Sequence, residues 1–181
     1  MQQTRRSVRL RNYDYSQNGT YFITVCTADR AERFGCISDQ VVRLNLSGEI
    51  VDRCWKQIPA HFPQVELDEF VVMPNHLHAI IVITGDAGGL GQAEARLGMS
   101  TQSETFGKPA IGSLATIVRS FKAAVSKHIR EASQQPSERI WQRNYYEHVI
   151  RNDGALNSIR QYIQANPAQW EFDVENPMRG K

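Results

Sequence analysis

Two apolar runs, Val65 to Met73 and His76 to Thr84, are separated by only Pro74-Asn75, and this spacing constrains the fold more than any other feature of the 181-residue chain. Pro and Asn are turn residues, so the two runs are expected to fold back on each other as an antiparallel hairpin. The second run opens with His76-Leu77-His78 and continues as Ala79-Ile80-Ile81-Val82-Ile83. Successive side chains of a strand point to opposite faces, so both imidazoles share a face while Leu77 points into the core. Histidines so placed can reach one metal ion, although paired histidines on strands are more often structural or solvent-exposed.

The remaining pattern builds a frame around that hairpin. Thr20 to Thr27 is dense in β-branched and aromatic residues and follows the turn-like Gln17-Asn18-Gly19, so it reads as a strand. Between Asn45 and Ile58, the positions Leu46, Ile50, Val51, Cys54, Trp55 and Ile58 recur at helical spacing, and Pro59 is expected to close the helix. Ser113 to Ala132 repeats that period through Leu114, Ile117, Val118, Phe121, Val125 and Ile129. Arg139 to Arg151 reads as an aromatic-rich strand, and Gly154 to Asn166 as a last helix stopped by Pro167. Strand, helix, strand, strand, helix, strand is the split βαβ order. It predicts an α+β, ferredoxin-like antiparallel sheet with helices on one face, followed by an extra C-terminal helix that carries Tyr162.

The expected organisation is one domain over residues 1–181, with a basic arm at 1–12 and a flexible Gly-rich insertion at 85–112 that holds seven of the twelve glycines. Its Gly88-Gly89-Leu90-Gly91 is no phosphate cradle, because no Gly-Lys-Ser/Thr follows. The longest uninterrupted apolar run falls far short of the roughly 18 residues that cross a bilayer, and no signal-like stretch follows the start, so a cytoplasmic protein without membrane contact is expected. Cys26, Cys36 and Cys54 are odd in number and widely spaced, which argues for reduced thiols.

A net charge of +2 is too mild to argue for nucleic acid by itself, but its distribution is uneven. Arg5, Arg6, Arg9 and Arg11 precede the first acidic residue, Asp14. Arg119 and Lys122 lie on the helix face away from the apolar stripe, and Arg143 and Arg151 flank the aromatic strand. All are candidate contacts to a phosphate backbone, with Trp141 or Tyr145 available for base stacking, although a solvated face is the commoner fate of such charges. On the last helix Tyr162 and Asn166 are four residues apart, about 40° on the wheel, and share one patch. Asn166 or Glu147 could add an oxygen to the two histidines, giving a mixed N/O shell suited to Mg²⁺ or Mn²⁺. Tyr145 and Tyr146 are adjacent on a strand and must face opposite ways.

Three ordered motifs, Met73-Pro74-Asn75-His76-Leu77-His78, then Trp141-Gln142-Arg143-Asn144-Tyr145-Tyr146-Glu147-His148-Val149-Ile150-Arg151-Asn152, then Tyr162-Ile163-Gln164-Ala165-Asn166-Pro167, resemble the HUH single-strand DNA transposases with one catalytic tyrosine. The chain is most similar to the REP-associated tyrosine transposases, over about Arg11 to Trp170, though its 85–112 insertion is longer than that pattern. The resemblance implies that His76, His78 and Asn166 bind Mg²⁺ or Mn²⁺. It further implies that Tyr162 attacks a single-stranded or hairpin DNA phosphate to form a 5′-phosphotyrosine link, in a monomer or homodimer. Three other readings remain open: a hairpin-DNA-binding protein without cleavage, a metal-dependent phosphoesterase using activated water, and a metal-free domain with structural histidines.

Overall fold

The computed structural model describes residues 18–84, 112–133 and 139–179. The arginines of the 1–12 arm and nearly all of the 85–112 insertion lie outside them. Strands β1 (Gly19–Cys26), β4 (Val65–Met73), β5 (His76–Ile83) and β6 (Tyr146–Ile150) form one antiparallel sheet in the order β4-β5-β1-β6. This is the ferredoxin-like arrangement expected from the pattern, with β1 and β5 central. Its first crossover is interrupted by a small hairpin of β2 (Gly35–Ser38) and β3 (Val41–Leu44). Asp39 and Gln40, at φ 53° and 62°, are both left-handed, as a tight two-residue hairpin turn requires.

Helix α1 (Leu46–Lys56) starts where the Asn45 side chain accepts from the Gly48 amide at 3.1 Å. A Cβ at position 48 would stand 2.1 Å from the Phe34 carbonyl oxygen, so the helix can approach the preceding loop this closely only as glycine. Pro59 does not simply close the run. It lies in the first turn of a separate helical turn, α2 (Ile58–His61), where its missing N–H is harmless. The expected strand from Arg139 shortens to β6, with Trp141 making one isolated bridge to Thr27.

The sheet separates two cores. On one face, Tyr21, Ile23, Val25, Leu77, Ala79 and Ile81 pack against α1 and α3 (Leu114–Ser133), where Trp55 meets Phe121 edge-on at 5.2 Å between ring centroids. On the other face, Phe22, Ile80 and Ile150 pack against Ile163 of α4 (Asp153–Ala165), which the Asn152 side chain caps by accepting from Ala155 N–H at 2.8 Å. A charged tie fastens α4 to the edge strand: Arg160 grips Asp68 through both carboxylate oxygens, with Nε at 2.8 Å from Oδ1. Asp68 sits where the β4–β5 register shifts between Leu67 and Phe70, so the irregularity aims its carboxylate at the helix.

Two outcomes follow from this packing. Trp55→Ala should lower stability by about 4 kcal/mol in urea denaturation. Trp55→Phe should lower it far less, because the buried indole N–H has no hydrogen-bond partner to lose. The bond from Arg160 holds the Asp68 carboxyl below its ordinary range. A depressed folded-state value adds stability that is present above the unfolded carboxyl value of about 3.9 and is lost as pH falls through the folded one. Asp68→Asn should therefore lower the melting temperature at pH 7, and the difference from wild type should narrow as pH falls below about 3.9, as read by circular dichroism.

Candidate metal centre and tyrosine

Strand alternation sends Leu77 to the α1/α3 core and turns His76 and His78 to the α4 face, their ring centroids 4.3 Å apart and both rings buried. The third member comes from beyond the last helix. After α4 the chain continues as a 3-10 helix, Pro167–Phe172, which delivers the buried Asp173. One ligand atom from each of His76, His78 and Asp173 lies within 4.8 Å of the others, a group able to hold a metal ion. The strap that carries Asp173 is tied down by Arg30, which donates from Nη1 to the Val174 carbonyl at 3.1 Å and pairs with the Glu175 carboxylate at 3.3 Å.

Tyr162 closes the open side. Its hydroxyl is 3.1 Å from His78 Nε2, while Thr24 Oγ1 is 2.9 Å from His78 Nδ1. The phenol ring stands edge-on to Phe22 at 6.1 Å, yet the residue remains 40% exposed, so it is both oriented and reachable. Asn166, one turn on, is buried and donates through Nδ2 to Asp173 Oδ2 at 2.8 Å. The helical spacing thus brings Tyr162 and Asn166 to the same cluster.

The charge state suits a cation. Burial acts first on His76 and pushes its imidazole well below the usual histidine range, and the neighbouring His78 adds to this. Burial would raise the Asp173 carboxyl, but the His78 imidazole 3.8 Å away and the hydrogen bonds from the Glu175 amide and Asn166 hold it well below the carboxylate range. At neutral pH His76 is therefore the uncharged imidazole and Asp173 is ionised, the forms that metal binding needs. His76 Nε2 and Asn166 Oδ1 are buried without a hydrogen-bond partner. Unpaired lone pairs beside a carboxylate are the donors that a divalent ion takes up, so the residues fit a divalent cation.

Other expected residues fall differently. Glu147 is opposite Ile23 in the β1–β6 register, on the α1/α3 face, and so cannot join the histidines. Tyr145 also belongs to that face, whereas Tyr146 is on the site face, edge-on to Phe22 at 6.2 Å. Trp141 is buried with its indole N–H donated to the Lys122 carbonyl at 3.2 Å, which removes it as a stacking surface. Lys122 is not a free phosphate contact either: its ammonium donates to the carbonyls of Gln142, Arg143 and Asn144 at 2.9, 3.5 and 3.3 Å, and burial lowers its pKa to about 8. Arg119, Arg143 and Arg151 are exposed. Arg5, Arg6, Arg9 and Arg11 lie outside the described residues. Asp173 escaped the sequence reading because the segment after Pro167 has no apolar period to mark it.

The chain thus combines a ferredoxin-like α+β sheet, two histidines of a buried His-His-Asp group on a central strand, and the helix of Tyr162 beside them. No protein-family model matches the chain. An uncharacterized protein of Haemophilus influenzae is 44% identical over 169 residues, covering 93% of this chain and 91% of that protein, and the two chains belong to one family. A putative REP-associated tyrosine transposase of the same organism is 24% identical over 156 residues, covering 86% of this chain and 74% of its own. The solved structure of a REP-associated tyrosine transposase bound to a REP hairpin shares the fold, with a TM-score of 0.57 and 20% identity over 90% of this chain and 73% of that one. The resemblance to the REP-associated tyrosine transposases read from the three motifs is thereby borne out. Among the described residues no helix is long and apolar enough to cross a membrane.

Mn²⁺ at a hundred times its dissociation constant should stabilise the folded protein by about 2.7 kcal/mol. A rise in melting temperature is expected for wild type and is expected to vanish in His76→Ala and in Asp173→Ala.

Proposed function

We propose that the protein nicks single-stranded DNA beside hairpin or palindromic repeats and transfers the strand through a 5′-phosphotyrosine link on Tyr162. The observation that carries this reading is the hydroxyl of a solvent-reachable tyrosine, 3.1 Å from His78 Nε2, at the lip of the buried His76-His78-Asp173 group. A DNA function of the transposase kind is supported by the likeness in sequence and fold to REP-associated tyrosine transposases, one of which is seen bound to a REP hairpin. His76, His78 and Asp173 would hold Mg²⁺ or Mn²⁺, with the Asn166 oxygen as a further donor. The ion, when bound, polarises the scissile phosphate and favours the phenolate.

The remaining work belongs to the chain. Packing against Phe22 fixes the direction of the Tyr162 ring, and its exposure lets a bent strand approach. The phenol loses its proton to solvent, the phenolate oxygen bonds to phosphorus, and the bond from phosphorus to the 3′-oxygen breaks, that oxygen taking up a proton. The phosphotyrosine conserves the bond energy, so a second 3′-hydroxyl can displace Tyr162 and join strands without a nucleotide. Arg119, Arg143 and Arg151, with the arginines of the N-terminal arm, supply phosphate contacts.

The test is incubation of an end-labelled single-stranded oligonucleotide carrying a hairpin with Mn²⁺ or Mg²⁺, followed by a denaturing gel. Wild type should form a metal-dependent covalent adduct that disappears in Tyr162→Phe. Cleavage without adduct would identify a phosphoesterase using activated water. An adduct surviving the substitution would move the nucleophile to Tyr146, the other tyrosine on the site face, and binding of several hairpins without cleavage would identify a DNA-binding protein.

A further inference from the structure

Asn75 is fully buried, although its place in a Pro-Asn turn between two strands would normally leave it in water. Its amide nitrogen donates twice, to the Arg30 carbonyl at 2.9 Å and to the Glu175 carbonyl at 2.7 Å. Both amide protons are thus committed, which fixes the orientation of the side chain and leaves Oδ1 as an acceptor only. Oδ1 lies 2.8 Å from His76 Nδ1. An acceptor there requires His76 to carry its proton on Nδ1, so the lone pair is on Nε2, the buried nitrogen that has no hydrogen-bond partner.

The same side chain reaches the other half of the site. The Glu175 carbonyl it holds is two residues beyond Asp173, and the Glu175 amide donates to Asp173 Oδ1 at 2.6 Å. The Arg30 carbonyl it also holds belongs to a turn in which Asp29 and Arg30 are left-handed, at φ 56° and 57°, and whose Arg30 side chain grips the same strap. One residue therefore joins the hairpin turn, the 27–31 loop and the C-terminal strap.

We propose that Asn75 is the positioning residue of the metal centre, setting the His76 tautomer through Oδ1 and holding the Asp173 strap through Nδ2. This rests on the metal reading above but not on the nicking chemistry. Outer partners that orient a ligating histidine typically contribute 10–100-fold to metal affinity, and here one amide serves a histidine and a carboxylate together.

The decisive readout is the His76 tautomer in the metal-free, DNA-free protein, from the two-bond proton–nitrogen correlation of the ring. Wild type should show Nδ1–H and an unprotonated Nε2. Asn75→Ala should give a mixture of tautomers and weaken Mn²⁺ binding by 10–100-fold in calorimetry. Asn75→Asp, which keeps the acceptor, should retain the wild-type tautomer. An Nε2–H tautomer in wild type would overturn the proposal even if Asn75→Ala failed to fold, as would an alanine variant with wild-type tautomer and affinity. Should wild type fail to bind Mn²⁺ while showing Nδ1–H, the metal reading fails and the orienting role of Asn75 stands apart from it.

Discussion

The two-residue period of β5 is the constraint on which the rest of the structure depends. Leu77 must enter the α1/α3 core, and once it does, His76 and His78 have no choice but the opposite face. A slip of one residue in the β1–β5 register would exchange the two sets and place both imidazoles among Trp55, Phe121 and Ile117. The register is held from both sides, by β1 pairing Val25 with Leu77 and by β4 pairing Val72 with Leu77. The position of the histidines is thus a by-product of the best-packed part of the molecule.

The α4 face has the contrary character. Its apolar cluster is small, built on Phe22, Ile80, Ile150 and Ile163 with Val71, Ala155, Leu156 and Ile159 packed against it, and it is joined by polar ties: Arg160 with Asp68, Asn166 with Asp173, Arg30 with Glu175. Hydrophobic burial is non-directional, whereas hydrogen bonds and ion pairs fix distances and angles. A core that only has to exclude water is therefore separated by the sheet from a layer that has to hold a tyrosine, two imidazoles and a carboxylate in a set geometry.

What was legible in the sequence follows the same division. Periodic burial writes itself into the chain, so β1, the β4–β5 hairpin, α1, α3, α4 and the direction of the His step could all be read. The β2–β3 hairpin could not, since Asp39 and Gln40 adopt left-handed turns without the glycine that usually signals them. The strand expected from Arg139 fails for a definite reason: the carbonyls of Gln142, Arg143 and Asn144 bond to the Lys122 ammonium and not to a neighbouring strand, while Trp141 and the Tyr145 ring pack on that core as strand residues would. Asp173 was beyond reach because its placement depends on Arg30 and Asn75, partners about a hundred or more residues away with no shared period.

The polar layer also bears on why a chain would retain such a site. Each buried polar atom left without a partner costs about 1–3 kcal/mol, set against a total stability of about 5–15 kcal/mol for a domain. His76 Nε2 and Asn166 Oδ1 are two such atoms in one cluster, next to an ionised carboxylate. Were the histidines merely structural, an apolar pair on β5 facing Phe22 and Ile163 would pack as well and remove the penalty. A cation would reverse that balance, because the atoms that are orphans in its absence would become its ligands, and its charge would offset the desolvation of Asp173. The arrangement is thus destabilising as packing and would be favourable as a binding site, and it is held in place by the side of the sheet that needs no site at all.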